Sequence, residues 1–306
     1  MNKYIVIISL SLLLVLSGCK TTETPPTGAF LGGTDGVSIE FVNLAPPSSF
    51  NQNDSVKVKV LLTNKGESRV ATGNAKSRIF GITLENFGLT SAYKSNLGPI
   101  EAKGEFTKEG GEQEIELGTI KYKLSVINSE DYTLRARLCY PYQTKALVDV
   151  CIKSTISQES GEQICDTTGE KVGSGSISSA PIQITSITEQ TRGSDQVRFD
   201  IVIENKGVGE VYPVDSKCED LDNEIKRIEN RNKINVKVNS PVNVLCSFRS
   251  GEPSSEGIVT LDSTGKGTLS CWKNVEETVE DKLSMTLSYV YRDQTTKQVT
   301  IYQSRR

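Results

Sequence analysis

The residues of this sequence that could do chemistry are its cysteines, because histidine is absent. The chain has 306 residues, with seven cysteines and no histidine. Without histidine, Ser-His-Asp and Cys-His nucleophile pairs cannot form. Histidine-ligated zinc, copper and iron sites are excluded for the same reason. No Cys-x-x-Cys pair occurs either. The cysteines therefore predict lipid attachment and disulfide bonds, and we expect no metal and no other cofactor.

The first cysteine, Cys19, closes a secretory signal. Lys3 and an apolar run over residues 4–16 precede it, which is typical of a signal peptide over residues 1–18. A run of thirteen residues is too short to span a bilayer comfortably. Leu16, Ser17, Gly18 and Cys19 resemble the lipobox of prokaryotic lipoproteins. The resemblance implies cleavage before Cys19, a lipid on its thiol, and a place on the extracytoplasmic face of the cell membrane. The alternatives are an ordinary signal peptide with a chance cysteine, or an uncleaved anchor.

Six cysteines remain, and an even number outside the cytoplasm predicts disulfides. Cys246 and Cys271 lie on separate predicted strands, and we expect them to pair. Cys151 has two candidate partners: Cys139 across a hairpin, or Cys165, which would close a fifteen-residue loop. Cys218 would then pair with whichever of Cys139 and Cys165 stays free, and this bond would connect the two halves of the chain.

An internal repeat organises the rest of the sequence. Alternating apolar residues over 56–62 precede Asn64-Lys65-Gly66, and the same pattern over 197–203 precedes Asn205-Lys206-Gly207, at an offset of 141. Period two predicts a strand with one buried face. Asn-Lys-Gly predicts a turn in which glycine can adopt a positive φ. We interpret the chain as two duplicated units.

The two units also end alike. Residues 134–142 and 283–291 alternate at an offset of 149, and a polar triplet and a second apolar run follow each of them. This order predicts a closing β-hairpin in each unit, with turns at 143–145 and 293–295. On architecture alone, the exposed tips of these hairpins are the candidate binding loops, with Gln143, Lys145, Asp293 and Gln294 as the candidate contact residues.

Further strand-like runs give each unit about seven short strands, which predicts an antiparallel sandwich. The runs are 77–85, 113–118 and 120–126 in the first unit, and 234–238, 243–248, 257–261 and 267–272 in the second. The polar stretch 218–233 is either one or two helical turns or a solvated insertion loop. The predicted division is a signal peptide (1–18), a lipidated cysteine with a flexible tether (19–36), a first sandwich (37–155), a linker (156–179) and a second sandwich (180–304).

Both units resemble the immunoglobulin-like domains of prokaryotic surface proteins, in which an alternating strand ending in Asn-x-Gly recurs. The opening GGTDGVSIEFVNLAPPSSF and the LCYPY run are similar to tandem domains of archaeal cell-surface lipoproteins. The likeness covers about residues 33–303 and implies an all-β fold of two tandem immunoglobulin-like sandwiches. It implies almost nothing about activity.

Other short motifs are weak in context. Ser91-x-x-Lys94 and Ser270-x-x-Lys273 have the spacing of a serine nucleophile but lie in a predicted loop and a predicted strand, whereas that motif opens a helix. Asp220-x-Asp222-x-Glu224 offers oxygen ligands without the central glycine of a calcium loop. Trp272, the only tryptophan, is expected in the core beside Cys271 rather than as a platform for sugar.

The composition and charge of the chain limit the classes of binding partner that we expect. The net charge is −3, and removal of residues 1–18 with Lys3 makes it −4, while no long basic run occurs. Nucleic acid is therefore not an expected partner. We expect a non-enzymatic, lipid-anchored protein that presents two immunoglobulin-like domains to a protein or glycan at the cell surface. The alternatives are an accessory or assembly factor that pairs through sheet edges, and a carboxylate-based envelope hydrolase using residues such as Glu276 and Glu277.

Overall fold

The computed structural model describes residues 28–153, 165–241, 243–249 and 251–304. The predicted signal segment and the predicted lipobox, with Cys19, lie outside these residues, so lipid attachment stays a prediction. The described chain is mostly β, with 52% of residues in strands and 5% in helices, which confirms the predicted all-β class. Its strands are β1 (Val37–Phe41), β2 (Ser49–Asn51), β3 (Val56–Asn64), β4 (Lys76–Phe80), β5 (Lys94–Ser95), β6 (Glu112–Ile120), β7 (Ser129–Ile152), β8 (Ile182–Arg192), β9 (Gln196–Asn205), β10 (Glu210–Pro213), β11 (Lys233–Ser240), β12 (Leu245–Ser247), β13 (Glu256–Thr260), β14 (Lys266–Asn274) and β15 (Val279–Tyr302).

The strands follow the alternation of the sequence. β3 and β9 bury every second residue, from Val58 to Leu62 and from Val197 to Ile203. Most of the other predicted runs are strands with shifted ends. Residues 121–126 are the exception, because the Lys121 and Lys123 amides donate to carbonyl groups at the short 3₁₀ turn Leu84–Phe87 instead of joining a strand.

These strands form three sheets. The first outer sheet has the order β1-β3-β6, and the second outer sheet has the order β12-β14-β9-β8. The shared sheet has the order β13-β11-β15-β7-β4-β5, and β10 and β2 also pair with β15. The shared sheet therefore contains strands that precede the predicted linker and strands that follow it. Apart from the parallel pairing of β2 with β15, the strand pairs of the described residues are antiparallel.

The two predicted hairpins do not form, and this is the main correction to the sequence analysis. β7 and β15 are each 24 residues long and pair with each other along their whole length. We call this pair the ribbon; at 3.4 Å per residue it is about 80 Å long. The polar triplet at 143–145 does not turn, because Thr144 is buried inside β7. The Thr144 hydroxyl donates to the Ile182 carbonyl at 2.6 Å and lies 3.0 Å from the Tyr289 hydroxyl.

The ribbon has an approximate twofold symmetry that follows from the repeat. An offset of 149 takes Tyr140 to Tyr289 and Tyr142 to Tyr291, and the register pairs Tyr140 with Tyr291 and Tyr142 with Tyr289. The centre of the symmetry therefore lies at the pair of Pro141 and Val290. We call the region around this pair the waist.

Each half of the ribbon lies under one outer sheet. The Val37 amide of β1 donates to the Tyr140 hydroxyl, which places the first outer sheet over one half. The Cys151 amide donates to Glu189 of β8, which places the second outer sheet over the other half. We call each outer sheet, together with the half of the ribbon that it covers, a lobe. Residues 143–152 thus complete the lobe of the second repeat, and residues 293–302 pair with 129–138 in the lobe of the first. Each lobe contains a strand segment that the other repeat supplies.

Parts of the predicted tether and linker are held against the waist. The Phe30 amide donates to the Gly175 carbonyl. The Leu31 and Gly32 amides donate to the Glu67 carboxylate, each at 2.9 Å, and the Ser179 amide donates to the same carboxylate at 2.7 Å. The prediction of a flexible tether is therefore wrong for residues 30–36, which continue into β1. Residues 19–27 and 154–164 lie outside the described part of the chain.

One short helical insertion covers the opposite face of the waist. A 3₁₀ turn (Asp220–Asp222) leads into α1 (Glu224–Asn230), whose N-cap Asn223 accepts from the Lys226 amide at 3.1 Å. Leu221 is buried, whereas Ile225 and Ile228 are about two-thirds exposed, so Leu221 is the one of these three apolar side chains that packs against the ribbon. None of the helices in the described residues has the length and apolar character needed to cross a bilayer.

Candidate functional site

Four buried tyrosines form the centre of the waist. Tyr140, Tyr142, Tyr289 and Tyr291 lie on the inner face of the ribbon, each 2% exposed or less. Their rings contact one another in tilted or edge-to-face arrangements, with centroid separations from 5.4 to 6.5 Å. Burial raises the pKa of all four hydroxyl groups. They stay protonated at neutral pH and act as hydrogen-bond partners.

Two of these hydroxyls explain the repeated Asn-Lys-Gly motif. Tyr142 donates to Asn64 Oδ1 at 2.8 Å and accepts from the Ser68 amide at 3.2 Å. In the second repeat, Tyr291 donates to Asn205 Oδ1 at 3.3 Å and accepts from the Gly209 amide at 2.8 Å. Each asparagine therefore connects its own turn to the ribbon.

The glycine of the motif has a different role from the one predicted. Neither Gly66 nor Gly207 is among the glycines with positive φ. A Cβ at Gly66 would contact the Tyr142 hydroxyl, and a Cβ at Gly207 would contact the Tyr291 hydroxyl. Glycine is required because the turn approaches the tyrosine closely.

Three disulfides resolve the pairings that the sequence left open. Cys246 pairs with Cys271, as expected. Cys151 pairs with Cys165, so the competing Cys139–Cys151 bond does not form. Cys139, on the outer face of the ribbon, pairs with Cys218 of the insertion and joins the two repeats covalently. The hairpin bond fails because β7 does not fold back: residue 139 lies opposite Arg292, and residue 151 opposite Glu280.

The insertion is held to the ribbon by an apolar cluster as well as by this bond. Cys139, Cys218, Leu221, Val290 and Tyr212 are buried together, with Tyr93 packed against them. The Tyr93 hydroxyl donates to the Cys218 carbonyl at 3.3 Å. Residues from both repeats therefore close the outer face of the waist.

A group of arginines surrounds this cluster. Asp222 lies 2.9 Å from Arg78 and 2.6 Å from Arg137, and the Tyr93 hydroxyl, 3.2 Å away, shares its proton between Asp222 and the Cys218 carbonyl. Arg292 is buried and donates to the Leu221 carbonyl at 2.7 Å. The Arg137 guanidinium lies 4.0 Å from the Phe80 ring centroid. One carboxylate thus serves two arginines while a third lies beside them.

A cleft of about 320 Å³ opens beside these arginines. Arg137 and Arg292 of the ribbon line it, together with Arg227 of α1 and the turn residues Val208 and Gly209. Glu210, Asp293 and Gln294 complete the lining, so residues of both repeats form the cleft. Sequence reasoning missed it because the three arginines are far apart in the chain.

The four predicted binding-loop residues do not lie on loops. Gln143 and Lys145 are inside β7, opposite Ser288 and Thr286 of β15. Asp293 and Gln294 are inside β15, opposite residues 138 and 137, because the ribbon runs on where a turn was expected. Asp293 and Gln294 nevertheless line the cleft. The structure brings these two into the candidate site and separates them from the other two.

The other motif residues have local partners. Asp220 pairs with Lys226 at 2.8 Å, and Asp222 is occupied by its arginines. Ser270 lies on β14, as predicted, and donates to Asp200 at 2.5 Å. Glu276 and Glu277 are exposed after the end of β14.

The core position expected for Trp272 is wrong, because its side chain is half-buried. Alternation along β14 places Cys271 in the core and the neighbouring tryptophan on the outward face. It lines a cleft of about 280 Å³ there, together with Leu245.

A buried carboxylate lies beside the Cys151–Cys165 disulfide. Glu189 of β8 accepts the Cys151 amide with both oxygens, at 3.0 and 3.1 Å, and lies 3.1 Å from Lys171. Burial raises the pKa of Glu189, while the amide and Lys171 oppose that effect. This group fastens the end of the ribbon to the second outer sheet.

No protein-family model and no curated protein matches the chain. Among solved structures, it is similar to the secreted serine protease VesC from Vibrio cholerae, at 10% identity and a TM-score of 0.20, over 86% of this chain and 51% of that one. It is also similar to Escherichia coli alpha-2-macroglobulin activated by porcine elastase, at 8% identity and a TM-score of 0.12, over 87% of this chain and 33% of that one. The chain spans about half the length of the first structure and a third of the second. TM-scores this low support no statement about its fold or activity.

Proposed function

We propose that this protein is a lipid-anchored extracytoplasmic binding and structural protein without catalytic activity. It presents two immunoglobulin-like lobes, joined at the waist, to a protein or glycan partner at the cell surface. The observation that carries the proposal is the ribbon, because a strand pair shared along 24 residues holds both lobes in one fixed arrangement. A fixed arrangement suits a protein that displays surfaces or sets a distance.

The disulfides support an extracytoplasmic place. Three cystine bonds use all six cysteines that remain after Cys19. Such bonds persist in oxidising compartments and are rare in the cytosol. The predicted lipobox supplies the anchor, and the absence of histidine supports a non-enzymatic role.

The place where the chain joins the body supports a particular orientation. Residues 30–36 enter at the waist, between the turns that contain Gly66 and Gly207. Eight residues lie between Cys19 and Gly28, and the predicted tether, as a flexible chain of that length, would reach about 14–17 Å on average. The anchor therefore holds the body close to the membrane at its middle, and both lobes extend to the sides.

The test is membrane fractionation of cells that express the wild type, Cys19→Ser, or the matched control Thr22→Ser. We expect the wild type and the control to remain with the membrane, and Cys19→Ser to appear in the soluble fraction. Intact mass of the extracted wild type should show loss of residues 1–18 and a lipid increment. Membrane retention of Cys19→Ser, with an unmodified mass for the wild type, would contradict the anchor.

Partner capture at the cell surface tests the second part of the proposal. Crosslinking should recover a surface protein or glycan that contacts the lobes or the waist. Copurification of a stoichiometric membrane complex would instead favour the role of an accessory factor in assembly.

A further inference from the structure

The unusual group at the waist is the guanidinium of Arg292. It is 6% exposed and donates a hydrogen bond to the Leu221 carbonyl. Among the described residues, no carboxylate forms an ion pair with it within 4 Å. A buried cation without an anionic partner is unfavourable, and proteins normally pair such a group.

The surrounding charges do not neutralise Arg292. Asp222 is already shared by Arg78 and Arg137. Burial lowers the pKa of Arg137, and the nearby positive charge of Arg292 lowers it further. The two guanidinium groups are therefore close enough to repel each other.

The carboxylates that line the cleft have other environments. Glu210 accepts the Tyr212 hydroxyl at 2.7 Å and pairs with Arg231 at 3.6 Å. Burial raises the pKa of Asp293, and only the Gln294 amide opposes that effect, so no cation acts on Asp293 strongly. Arg292 is thus the guanidinium in the cleft lining that has no carboxylate partner in the described part of the chain, whereas Arg137 shares Asp222 with Arg78.

The cleft has the dimensions of a ligand site. Its volume of about 320 Å³ falls at the lower end of the range for small-molecule pockets. Arg227 reaches it from α1, with its side chain 32% exposed and a long contact of 3.9 Å to Glu224. Val208, which is 94% exposed, lies at the rim. Arginine is the side chain best suited to bind oxyanions, because its planar donors match them in pairs.

We propose that this waist cleft binds an oxyanion group, a carboxylate, sulfate or phosphate, carried by a ligand small enough to enter it. Arg292 and Arg137 at its base supply the donors, and Arg227 adds a third positive charge from the rim. The inference rests on the proposed binding function in one respect: it names the chemistry of a ligand that the body would present or recognise. Lipid attachment is not needed for it.

The test is calorimetric titration of the full mature protein in detergent with sodium phosphate, sodium sulfate and sodium acetate. Sodium chloride at the same ionic strength is the reference. We expect saturable binding of at least one oxyanion. The anion that binds with the highest affinity shows whether the ligand carries a phosphate, a sulfate or a carboxylate group. Saturation by none of them would overturn the proposal.

Variants locate the site. Arg227→Gln changes a half-exposed residue at the rim and should fold normally. It should weaken binding about tenfold, as expected for loss of one charge-assisted hydrogen bond. Arg292→Gln should abolish the rise in thermal midpoint that the oxyanion causes in the wild type. The matched control Arg198→Gln, on the second outer sheet with Asp200 as its partner at 2.8 Å, should bind like the wild type.

Each outcome separates this inference from the proposed function. Equal binding by the wild type and by Arg227→Gln would place the anion elsewhere and refute the cleft. Failure of Cys19→Ser to leave the membrane would refute the anchor and leave the titration unaffected. Anion binding to the cleft with no partner at the cell surface would support the site and contradict the wider role.

Discussion

Removal of the Cys139–Cys218 disulfide should destabilise the protein more than removal of either other disulfide. The two cysteines are 79 residues apart, so in the chain-entropy model the bond stabilises the fold by about 4.5 kcal/mol. The same relation gives about 3.5 kcal/mol for Cys246–Cys271, with a separation of 25, and about 3 kcal/mol for Cys151–Cys165, with a separation of 14. The order of the three follows from the lengths of the closed loops.

The structure also predicts what remains when this bond is lost. Leu221 stays buried against the ribbon, and Asp222 keeps its contacts with Arg78 and Arg137. Cys139→Ala with Cys218→Ala should therefore leave the insertion docked in the native state. Amide hydrogen exchange at residues 219–223 should rise moderately and should not reach the rate of an unfolded segment.

The assay is urea unfolding of the three double-alanine variants, followed by tryptophan fluorescence and circular dichroism. The Cys246→Ala/Cys271→Ala variant is the matched control, because it removes a bond within one repeat. We expect a single transition in the wild type and in each variant, since the ribbon belongs to both lobes. The reasoning is refuted if the Cys139–Cys218 deletion costs less free energy of unfolding than the control, or if the lobes of the wild type unfold separately.

Two further predictions concern single side chains. Tyr142→Phe should lower the free energy of unfolding by about 1–3 kcal/mol, because it leaves the Ser68 amide without its acceptor, the buried tyrosine hydroxyl. Tyr291→Phe should lower it by a similar amount in the second repeat. Urea unfolding in which neither variant loses stability would contradict this role of the hydroxyl groups. Glu189 has a raised pKa, so its contribution to stability is present below the unfolded value near 4.5 and is lost as pH rises through the folded value. Glu189→Gln should flatten that part of the stability curve, and an unchanged pH dependence in thermal melts from pH 4 to 7 would show that another group controls it.

Much of the architecture could be predicted because strand alternation is a local property. β3 and β9 were recognisable from every second residue, and the matching runs before Tyr142 and Tyr291 indicated a duplication. The hairpins were wrong because a hairpin and a ribbon present the same alternating pattern. Period two shows which face is buried, and it does not show whether the partner strand belongs to the same repeat. The triplet at 143–145 also lacks glycine, proline, asparagine and aspartate, the residues that favour a tight turn.

The candidate site could not be predicted for a related reason. Arg137 and Arg292 become neighbours through the register of the ribbon, and Arg227 joins them only because the insertion docks on the outer face. No local pattern connects the three positions. The Cys139–Cys218 bond, which brings the insertion there, was one of two outcomes that cysteine spacing left open.

The position of the waist has a mechanical consequence. A ligand held in the cleft and a membrane anchor joined to residue 28 would pull on opposite faces of the ribbon near its centre. The load would cross the molecule by a short path, through the hydrogen bond of Tyr140 to Val37 and the covalent link between Cys139 and Cys218. The outer ends of both lobes lie away from that path, so tension would not peel apart the ribbon from either end. Such a body could bear force at its middle while its lobes keep their shape.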